Sequence, residues 1–478
     1  MTQRHDTRTN RNPMLLAMTP PSKKKILILG GGFGGLYTAL QLEKSLRKNP
    51  DVEIILVSRD NFFLFTPMLH EVAASSLEIT TIVNPIRKLL KRTTFFNGEV
   101  KAIDLENSRV VVAHGIGAEH PHELSYDHLV LALGSVTNFY GIAGLQQRAL
   151  TMKSLDDAIY LRNRLIEQLE EADFECSTMT PKQLLTFVVA GGGFAGVETI
   201  AAINDFLREA LKFYSHLNQS MLRLVLVENS SLILPELGPE LGCYAQKKLE
   251  NRNIEFRLGQ KVTKLSDSGV ELSDGTTIPA RTLIWTAGTA ANPLLQGLMC
   301  AKDRGRIVVD ERLEVPGYPG VWALGDCASL AEKKSGRPYP PTAQHALRQG
   351  KVVGQNIAAA LRGGAKKPFA FSTIGQLAAI GRRAGVAKIF GFKFSGVIAW
   401  WLWRTVYLSK LPRFEKKLRV SLDWTLDLVF SKDLVQFTAL HTRTGSTTDT
   451  KTAITSRSIE RAVSDTLASF PVGDASNP

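Results

Sequence analysis

Short runs of mostly apolar residues alternate along the chain with longer stretches in which apolar residues recur at helical spacing. The first run extends from Ile26 to Leu29 and the next from Val52 to Val57. Between them, from Leu36 to Leu46, apolar side chains fall mainly three or four positions apart. Continuous apolar runs are typical of strands buried on both faces, whereas spacings of three and four are typical of helices. This stretch therefore predicts a strand, a helix and a second strand parallel to the first.

The same order returns in the middle of the chain, where strand-like runs at 185–190 and 222–227 flank a helical stretch. In both repeats a glycine-rich turn joins the first strand to the helix and fits the template G-x-G-x-x-G. The template glycines are Gly30, Gly32 and Gly35 in the first repeat and Gly191, Gly193 and Gly196 in the second. They allow a tight turn, a close approach of backbone to a pyrophosphate and close helix packing, while the helix N-terminus attracts phosphate. Two such turns predict an α/β fold with two Rossmann-type dinucleotide-binding domains.

The chain of 478 residues is too long for one hydrophobic core, so two or three domains are expected. We predict a split first domain (23–145 and 287–388), an inserted second domain (146–286) and a segment of C-terminal helices (389–440). Residues 1–22 are predicted to be a disordered lead-in, and residues 441–478, rich in Thr, Ser and Asp, a disordered tail.

Cysteine usage and hydropathy narrow the class of protein. The four cysteines, Cys176, Cys243, Cys300 and Cys327, stand alone, so neither a metal site nor a redox-active cysteine pair is predicted. No uncharged apolar run reaches the roughly 18 residues that a membrane-spanning helix needs. These patterns count against a reductase that works through a cysteine pair and against a membrane-spanning chain.

The net charge of +13 admits nucleic acid, an anionic membrane or acidic ligands as partners, and the positive excess lies near the C-terminus. Within 388–430, aromatic residues crowd around Trp400, Trp401 and Trp403. The basic residues there are Lys388, Lys393, Arg404, Lys410, Arg413, Lys416, Lys417 and Arg419, and a helical apolar face follows at Leu418, Leu422, Leu426 and Val429. Helices of this composition are typical of the membrane interface. A pair of helices that caps the fold or forms a dimer interface is the alternative, and nucleic acid is less favoured because no recognised binding motif accompanies the charges.

Several segments in a fixed order resemble the type II, non-proton-pumping NADH:quinone oxidoreductases over about residues 23–440. Besides the glycine turns they are Leu64-Phe65-Thr66-Pro67, Lys153-Ser154-Leu155-Asp156-Asp157-Ala158, Trp285-Thr286-Ala287-Gly288, Ala323-Leu324-Gly325-Asp326 and Ala343-Gln344-x-Ala346. Each segment alone is shared with other flavoprotein reductases. Their order, followed by an aromatic and basic C-terminus, is much more specific.

The resemblance implies that the first glycine turn binds FAD, with Asp326 on its ribityl chain, and that the second binds the co-substrate NADH. It implies catalytic roles for Glu198, against the nicotinamide, and for Gln344, at the flavin edge and the quinone path. Glu228 ends a strand of the second repeat and is expected to bind the ribose of NADH. The expected cofactor-binding residues are Gly30, Gly32, Phe33, Gly34, Gly35, Ser58, Arg59, Val100, Ala132, Gly134, Asp326, Ala343, Gln344, Gly191, Gly193, Phe194, Ala195, Gly196, Glu198, Glu228, Ala287 and Gly288.

Two positions depart from the family pattern. Ser58 stands where the second strand of the first repeat should end in an acid that binds the adenosine ribose, although its hydroxyl can still form a hydrogen bond there. Arg348 stands where the resemblance leads us to expect glutamine, which leaves the identity of the electron acceptor open.

The resulting hypothesis is a flavoprotein that passes a hydride from NADH to FAD and then two electrons to a membrane quinone. We expect a peripheral protein on the cytoplasmic face of a bacterial inner (plasma) membrane, with quinone and lipid as partners, no nucleic acid, and a homodimer left open. One alternative is a soluble NADH-dependent ferredoxin- or rubredoxin-type reductase, which would lack the aromatic and basic C-terminus. The other is a flavoprotein that signals its redox state through partner binding.

Overall fold

The computed structural model describes residues 23–115, 118–174, 181–333 and 335–437. The lead-in and the tail predicted from the sequence, residues 1–22 and 441–478, lie outside the described residues.

The first parallel sheet combines strands from the beginning of the chain with one strand from far downstream. Across the sheet the order is Val321–Ala323, His128–Leu131, Lys24–Leu29, Val52–Ser58 and Thr94–Asn97. All neighbours are parallel. The central strand is buried from Ile26 to Leu29, as its continuous apolar run predicts. The last strand to join, Val321–Ala323, enters after the chain has built a second sheet.

The second parallel sheet repeats this topology. Its order is Leu150–Thr151, Thr282–Trp285, Thr186–Ala190, Arg223–Glu228 and Ile254–Leu258. In each sheet the strand before the glycine turn is central, and the two strands that follow it in the repeat extend the sheet on one side. The carboxyl ends of both central strands therefore carry a glycine turn, which is where parallel α/β sheets bind ligands.

Smaller sheets accompany the two parallel ones. Four of them have three strands each, and three of these four are fully antiparallel: Glu99–Asp104, Arg109–His114 and His120–Ser125; Val262–Ser266, Gly269–Leu272 and Thr277–Ile278; Gly375–Ala379, Gly385–Ile389 and Phe392–Ser395. The shorter strands are Phe62–Leu64 with Val83–Pro85, Ser135–Thr137 with Thr289–Ala291, and Lys302–Asp303 with Arg306–Val308 and Ala328–Ser329.

The α-helices of the described residues are Phe33–Ser45, Leu69–Ala73, Ile86–Leu89, Leu145–Arg148, Leu155–Asp173, Pro181–Leu184, Phe194–Ala210, Pro239–Glu250, Ala343–Ala360, Gly396–Lys410 and Phe414–Leu426. None of the helices in the described ranges is long and apolar enough to cross a membrane.

The Ala343–Ala360 helix packs with its backbone against the Phe33–Ser45 helix of the first glycine turn. A Cβ at Gly350 would overlap the carbonyl oxygen of Gly34 and would lie 3.0 Å from Oγ1 of Thr38. Glycine is therefore required for this close approach. The contact fixes the helix that begins at Ala343 and Gln344 beside the first glycine turn.

The C-terminal segment differs in part from the predicted run of helices over 389–440. Residues 385–389 and 392–395 form a β-hairpin on strand Gly375–Ala379, and helix begins only at Gly396. The hairpin's second strand forms because its aromatic residues, Phe392 and Phe394, alternate with lysine and serine, a spacing of two that suits a strand. We call the helices Gly396–Lys410 and Phe414–Leu426 the C-terminal pair.

The C-terminal pair buries one face and exposes another that is also apolar. Trp403, Val420 and Trp424 are buried against the rest of the protein. The exposed large apolar residues of the pair and its flanks are Phe390, Phe392, Val397, Ile398, Trp401, Phe414, Leu418, Leu422, Leu426, Val429 and Phe430. The apolar face predicted at 418–429 is thus on the surface. So many exposed large apolar side chains in one short segment indicate an interaction site.

Two of the cations assigned to this surface from the sequence lie inside. Lys416 is 5% exposed, and its Nζ donates a hydrogen bond to the carbonyl oxygen of Thr80. The guanidinium of Arg404 lies 4.0 Å from the ring centre of Trp400 and 4.7 Å from that of Trp424. Helical periodicity explains both corrections: Lys416 lies one turn before the buried Val420, and Arg404, which is partly buried, lies one turn after Trp400.

We predict that Gly350→Ala destabilises the protein, although alanine ordinarily favours a helix by about 1 kcal/mol over glycine. Overlap with the Gly34 backbone should cost about 1–3 kcal/mol and outweigh that gain. Thermal unfolding followed by circular dichroism should show a lower melting temperature. Gly297→Ala, at an exposed turn where a Cβ meets no described atom within 4 Å, is the control. An unchanged or raised melting temperature for Gly350→Ala would contradict the close packing.

Candidate active site

The first glycine turn has the geometry of a phosphate cradle. Gly30 has φ +111°, and a Cβ there would overlap the carbonyl oxygen of Ala132. A Cβ at Gly35 would overlap the carbonyl oxygen of Gly30, so the helix can pack on the turn only with glycine at that position. At Gly32 a Cβ would have no described heavy atom within 4 Å, which leaves the approach to the helix N-terminus open.

The second glycine turn repeats these features. Gly191 has φ +114°, and a Cβ at Gly196 would overlap the carbonyl oxygen of Gly191. A Cβ at Gly193 would have no described heavy atom within 4 Å. Both helices begin without a side-chain cap and without an acid in their first turn. Their first N–H groups and the positive end of each helix dipole are thus available to an anion. Each cradle fits the pyrophosphate of a dinucleotide.

Ser58 and Glu228 occupy equivalent positions in the two cradles. A Cβ on Gly31 would lie 2.7 Å from Oγ of Ser58, and one on Gly192 would lie 2.9 Å from Cγ of Glu228. Glu228 accepts hydrogen bonds from the backbone N–H groups of Gly192 and Ser230. Each side chain therefore stands at the carboxyl end of its strand beside the turn, where a ribose hydroxyl would lie.

Asp326 is part of a polar chain that the sequence did not reveal. Oγ of Ser135 donates a hydrogen bond to Asp326 (2.6 Å) and accepts one from Nζ of Lys153 (2.7 Å). Burial lowers the pKa of Lys153, and the nearby Asp326 and Asp157 act in the opposite direction. Oε1 of Gln349 accepts a hydrogen bond from the N–H of Gly325 at 2.7 Å. These contacts hold the Gly325–Cys327 turn beside the first cradle.

The cysteines of the described residues do not form a redox pair. Cys243 is exposed, Cys300 is half-buried and Cys327 is buried, and all three are free. Burial raises the pKa of the Cys327 thiol to about 12, which disfavours the nucleophilic thiolate.

Glu198 is buried where four elements of the fold meet. It lies on the Phe194–Ala210 helix, and its carboxyl is 8% exposed. Oε1 accepts hydrogen bonds from the N–H of Ala379 (3.0 Å) and from Nε1 of Trp403 in the C-terminal pair (2.9 Å). Oε2 lies 3.9 Å from Nδ1 of His70 on the Leu69–Ala73 helix. The C-terminal pair therefore covers the first turns of the helix that begins at the second cradle.

Both groups of the Glu198–His70 contact favour their neutral forms. Burial raises the pKa of Glu198 to about 8, although the hydrogen bonds from Ala379 and Trp403 act in the opposite direction. Burial lowers the pKa of His70 to about 3. The 3.9 Å contact is therefore between a neutral imidazole and a carboxyl that is mostly protonated at neutral pH, and it is not an ion pair.

An aromatic series connects the first cradle with Glu198. Phe33 lies 5.9 Å from Phe65, Phe65 lies 6.2 Å from Tyr407, and Tyr407 lies 4.8 Å from Trp403, measured between ring centres. Trp403 donates to Glu198. Aromatic rings thus form a continuous series of contacts from the first cradle to Glu198.

Gln344 and Arg348 lie together near the start of the Ala343–Ala360 helix. Nε2 of Gln344 is 3.4 Å from the carbonyl oxygen of Gly375. The guanidinium of Arg348 donates to the carbonyl oxygen of Gln344 (2.8 Å) and lies 4.0 Å from the ring centre of Phe371. No ion pair among the described residues includes Arg348, so its charge is balanced by a carbonyl and an aromatic face.

The other residues expected at the site are distributed around the two cradles. Gly134 has φ +70° and follows Ala132 in the first sheet's loop. Phe33 packs edge to face on Phe63 (4.8 Å), and Gly34 faces Leu324. Phe194 and Ala195 begin the helix of the second cradle. The backbone of Ala287 lies beside Gly191, and Gly288 lies beside the ring of Tyr140.

Of the expected cofactor-binding residues, one is exposed to solvent and another is buried in the core. The Arg59 side chain is 73% exposed and lies 3.7 Å from Asp60. Val100 is buried in strand Glu99–Asp104, which directly follows the edge strand Thr94–Asn97 of the first sheet.

Ser135, Gln349, Trp403 and Tyr407 are site residues that sequence reasoning missed. Ser135 directly follows Ala132-Leu133-Gly134, and its position at a strand end was the only signal. The contact between Trp403 and Glu198 joins residues 205 positions apart, and no local pattern predicts it.

We predict that Glu198→Gln makes the protein relatively more stable at alkaline pH. Because folding raises the pKa of Glu198 from its ordinary value of 4.5 to about 8, the folded state binds more protons than the unfolded state between these values. Its contribution to stability is thus lost as pH rises through that window. Glutamine keeps the acceptor for Ala379 and Trp403 but does not titrate. The melting temperature of the variant minus that of wild type should increase from pH 5 to pH 8.

The control is Glu240→Gln, at a carboxylate that is 70% exposed. Its difference from wild type should stay constant over the same pH range. Parallel pH profiles for Glu198→Gln and wild type would show that Glu198 is ionised in the folded protein.

Two family models match the chain. One described as pyridine nucleotide-disulphide oxidoreductase matches residues 24–350, and one described as NDH2 C-terminal domain matches residues 374–433. Among solved structures, NDH2 from Plasmodium falciparum in complex with NADH superposes with a TM-score of 0.79 at 20% identity, covering 86% of this chain and 100% of that chain. This match shows the fold.

Curated relatives match over most of their length. The probable NADH dehydrogenase of Dictyostelium discoideum is 33% identical over 421 residues, which are 87% of this chain and 91% of that protein. The type II NADH:quinone oxidoreductase of Mycobacterium tuberculosis is 33% identical over 429 residues, 86% of this chain and 90% of that protein. A Staphylococcus aureus protein of the same description is 29% identical over 379 residues, 78% and 92%. The chain therefore belongs to the pyridine nucleotide-disulphide oxidoreductase family and, within it, to the type II NADH:quinone oxidoreductases.

Proposed function

We propose that this chain is an FAD-dependent NADH:quinone oxidoreductase that reduces a membrane quinone without pumping protons. The observation that carries the proposal is the pair of equivalent glycine cradles on two parallel sheets of one chain, with an aromatic series that runs from the first cradle to Glu198 beside the second. FAD supplies the ability to accept a hydride from NADH and to return two electrons to a second substrate. The protein has to hold two dinucleotides, exclude water and handle protons.

The first cradle and its surroundings are proposed to hold FAD. Gly32 leaves room for the pyrophosphate, Ser58 stands near the adenosine ribose, and Asp326 orients the ribityl chain. Ser135 and Lys153 support Asp326 through the hydrogen bonds at 2.6 and 2.7 Å, so that the carboxylate keeps one orientation. The parts of the chain at 23–145 and 287–388 are proposed to make up this FAD-binding domain.

The second cradle and its surroundings are proposed to hold NADH. Gly193 admits the pyrophosphate, and Glu228 accepts hydrogen bonds from ribose hydroxyls while it repels a 2′-phosphate. Residues 146–286 are proposed to form this NADH-binding domain. Glu198, near the start of the same helix, is proposed to lie against the nicotinamide, and its protonated form avoids an uncompensated buried charge there.

Gln344 is proposed to serve the quinone. Among the described residues its amide is held only by a 3.4 Å contact to the carbonyl oxygen of Gly375, so it can reorient to donate to a quinone carbonyl. Arg348 lies one turn further along the helix, and its charge favours negative charge that develops on the acceptor.

The C-terminal pair is proposed to rest on the lipid surface on the cytoplasmic side of the membrane, where NADH is available. Its exposed apolar face would enter the interface, and Lys410 and Arg419 would stand near anionic headgroups. Gln344 contacts strand Gly375–Ala379, and Ala379 of that strand shares the Glu198 oxygen with Trp403 of the pair, so the lipid-facing surface lies close to the proposed site of quinone reduction.

We predict that Gln344→Ala slows quinone reduction while hydride transfer stays near normal. Without the amide, one donor to the quinone carbonyl is lost, which should reduce the rate of flavin reoxidation by about tenfold, equivalent to 1.4 kcal/mol. Stopped-flow absorbance separates flavin bleaching by NADH from its reoxidation by quinone. Gln355→Ala, on the exposed side of the same helix, is the control. If both half-reactions slow equally, Gln344 positions the flavin instead.

We predict that Leu418→Ser combined with Leu422→Ser weakens binding to anionic lipid vesicles. Both side chains are more than half exposed, so folding should be little affected. Co-sedimentation should show less bound protein, and binding of the wild type should fall with salt. Met299→Ser, at an exposed apolar residue outside the C-terminal pair, is the control. If vesicle binding is unchanged but a dimer dissociates, the surface binds a second copy of the chain.

The proposed function is tested by steady-state oxidation of NADH with different acceptors. A panel of quinones should support rapid turnover, and ferredoxin- or rubredoxin-type proteins should not. Turnover with the protein carriers alone would assign the chain to the soluble reductases. Flavin that bleaches with NADH but is reoxidised by neither class would favour the signalling alternative.

A further inference from the structure

A cavity of about 330 Å³ lies between the Phe194–Ala210 helix and the C-terminal pair. His70, Glu71 and Glu198 line one part of its wall, and the exposed residues Lys212 and Gln219 line another. The cavity therefore connects the surface of the protein with the buried carboxyl of Glu198.

The wall of this cavity is polar enough to hold water. Within the described part of the chain, Nε of Arg404 and one terminal nitrogen of Arg208 are buried without a hydrogen-bond acceptor. Both residues line the cavity. Buried donors of this kind are ordinarily satisfied by water, and the volume is sufficient for several molecules at about 30 Å³ each.

Glu71 lines the cavity and is more exposed than Glu198. Its side chain is partly exposed, whereas that of Glu198 is almost fully buried. Nε1 of Trp424, from the C-terminal pair, donates a hydrogen bond to Oε2 of Glu71 at 3.0 Å. The proposed function gives Glu71 no role, and Glu71 lies outside both glycine turns and the other sequence segments that carry the family resemblance.

Quinone reduction requires a proton that the hydride does not supply. NADH, one proton and a quinone give NAD⁺ and a quinol: the quinone gains two electrons and two protons, of which the hydride accounts for both electrons and one proton. This requirement rests on the proposed function. If the quinone enters from the lipid side, the remaining proton has to come through the protein from water.

We propose that this cavity is the proton-entry path for quinone reduction, and that Glu71 takes the proton from water and passes it to Glu198. Glu198 first gives its own proton to the reduced quinone, directly or through water, so that its O–H bond breaks as an O–H bond forms on the quinone. The O–H bond of Glu71 then breaks as a new O–H bond forms on Glu198, directly or through cavity water, and Glu71 is reprotonated from the cavity. Glu71 acts through Glu198 and does not contact the quinone.

The charges around Glu71 suit a group that exchanges protons near neutral pH. Burial raises the pKa of Glu71 to about 7, with Arg404 and the Trp424 hydrogen bond acting against the increase. Asp427 raises this pKa and Lys432 lowers it, and Glu198 is its other acidic neighbour. On its own helix, His70 is neutral because burial lowers its pKa to about 3. Reoxidation by quinone should therefore slow as pH rises above 7.

The test is Glu71→Gln in the full-length, FAD-loaded protein. Glutamine keeps an acceptor for Trp424 but cannot carry the proton. Reoxidation by a quinone should slow about tenfold or more, the lower end of the effect of losing a proton-transfer group, and should lose its pH dependence around pH 7. Ferricyanide accepts electrons without protons, so its reduction should stay at the wild-type rate. Glu71→Asp should restore part of the quinone rate.

The matched control is Glu209→Gln, which removes a carboxylate from the same cavity but leaves Glu71 intact. Its quinone rate and pH profile should resemble wild type. Equal losses with quinone and ferricyanide would assign Glu71 a structural role, and an unchanged quinone rate in Glu71→Gln would exclude this path. A wild-type protein that quinone does not reoxidise would instead refute the proposed function, so the two failures are distinguishable.

Discussion

The burial of Glu198 is the constraint on which the arrangement of this protein depends. A carboxylate removed from water without a cationic partner is costly, so the group has to be protonated or supplied with donors. Both solutions are present: the pKa is raised to about 8, and Ala379 and Trp403 donate to one oxygen. These donors come from the strand before the β-hairpin and from the C-terminal pair. The same contact therefore fixes the C-terminal pair on the body and closes the region between the two cradles.

The repeated βαβ topology gives the chain two glycine cradles, one proposed to bind FAD and the other proposed to bind NADH. Their glycine geometry is the same at each template position, because a tight turn and a close helix impose the same steric limits in both. They differ at the strand end, where Ser58 stands in one and Glu228 in the other. A serine tolerates the ribose without adding charge, whereas a glutamate also discriminates against a phosphate on it. We therefore propose that nucleotide specificity resides in this one side chain at the strand end.

Local patterns made the parallel sheets and the cradles predictable from the sequence. Each central strand is a continuous apolar run, and the last glycine of each turn packs on the carbonyl oxygen of the first, five residues earlier, as Gly35 does on Gly30. Strand His120–Ser125 was not predicted, because its residues are mostly polar and lack an alternating pattern. The C-terminal hairpin was read as helix because its aromatic density outweighed its alternation. The Ser135–Asp326 and Trp403–Glu198 contacts are tertiary, and no local periodicity encodes them.

The protonation state of Glu198 at neutral pH is the central claim of this account, and infrared spectroscopy measures it directly. The difference spectrum between wild type and Glu198→Gln at pH 7 should contain the C=O stretching band of a protonated carboxyl, shifted in D₂O. The band should disappear about two pH units above the value of 8. A difference spectrum at pH 7 that contains only carboxylate bands would contradict the account, because the site would then hold a buried charge that the described contacts do not neutralise.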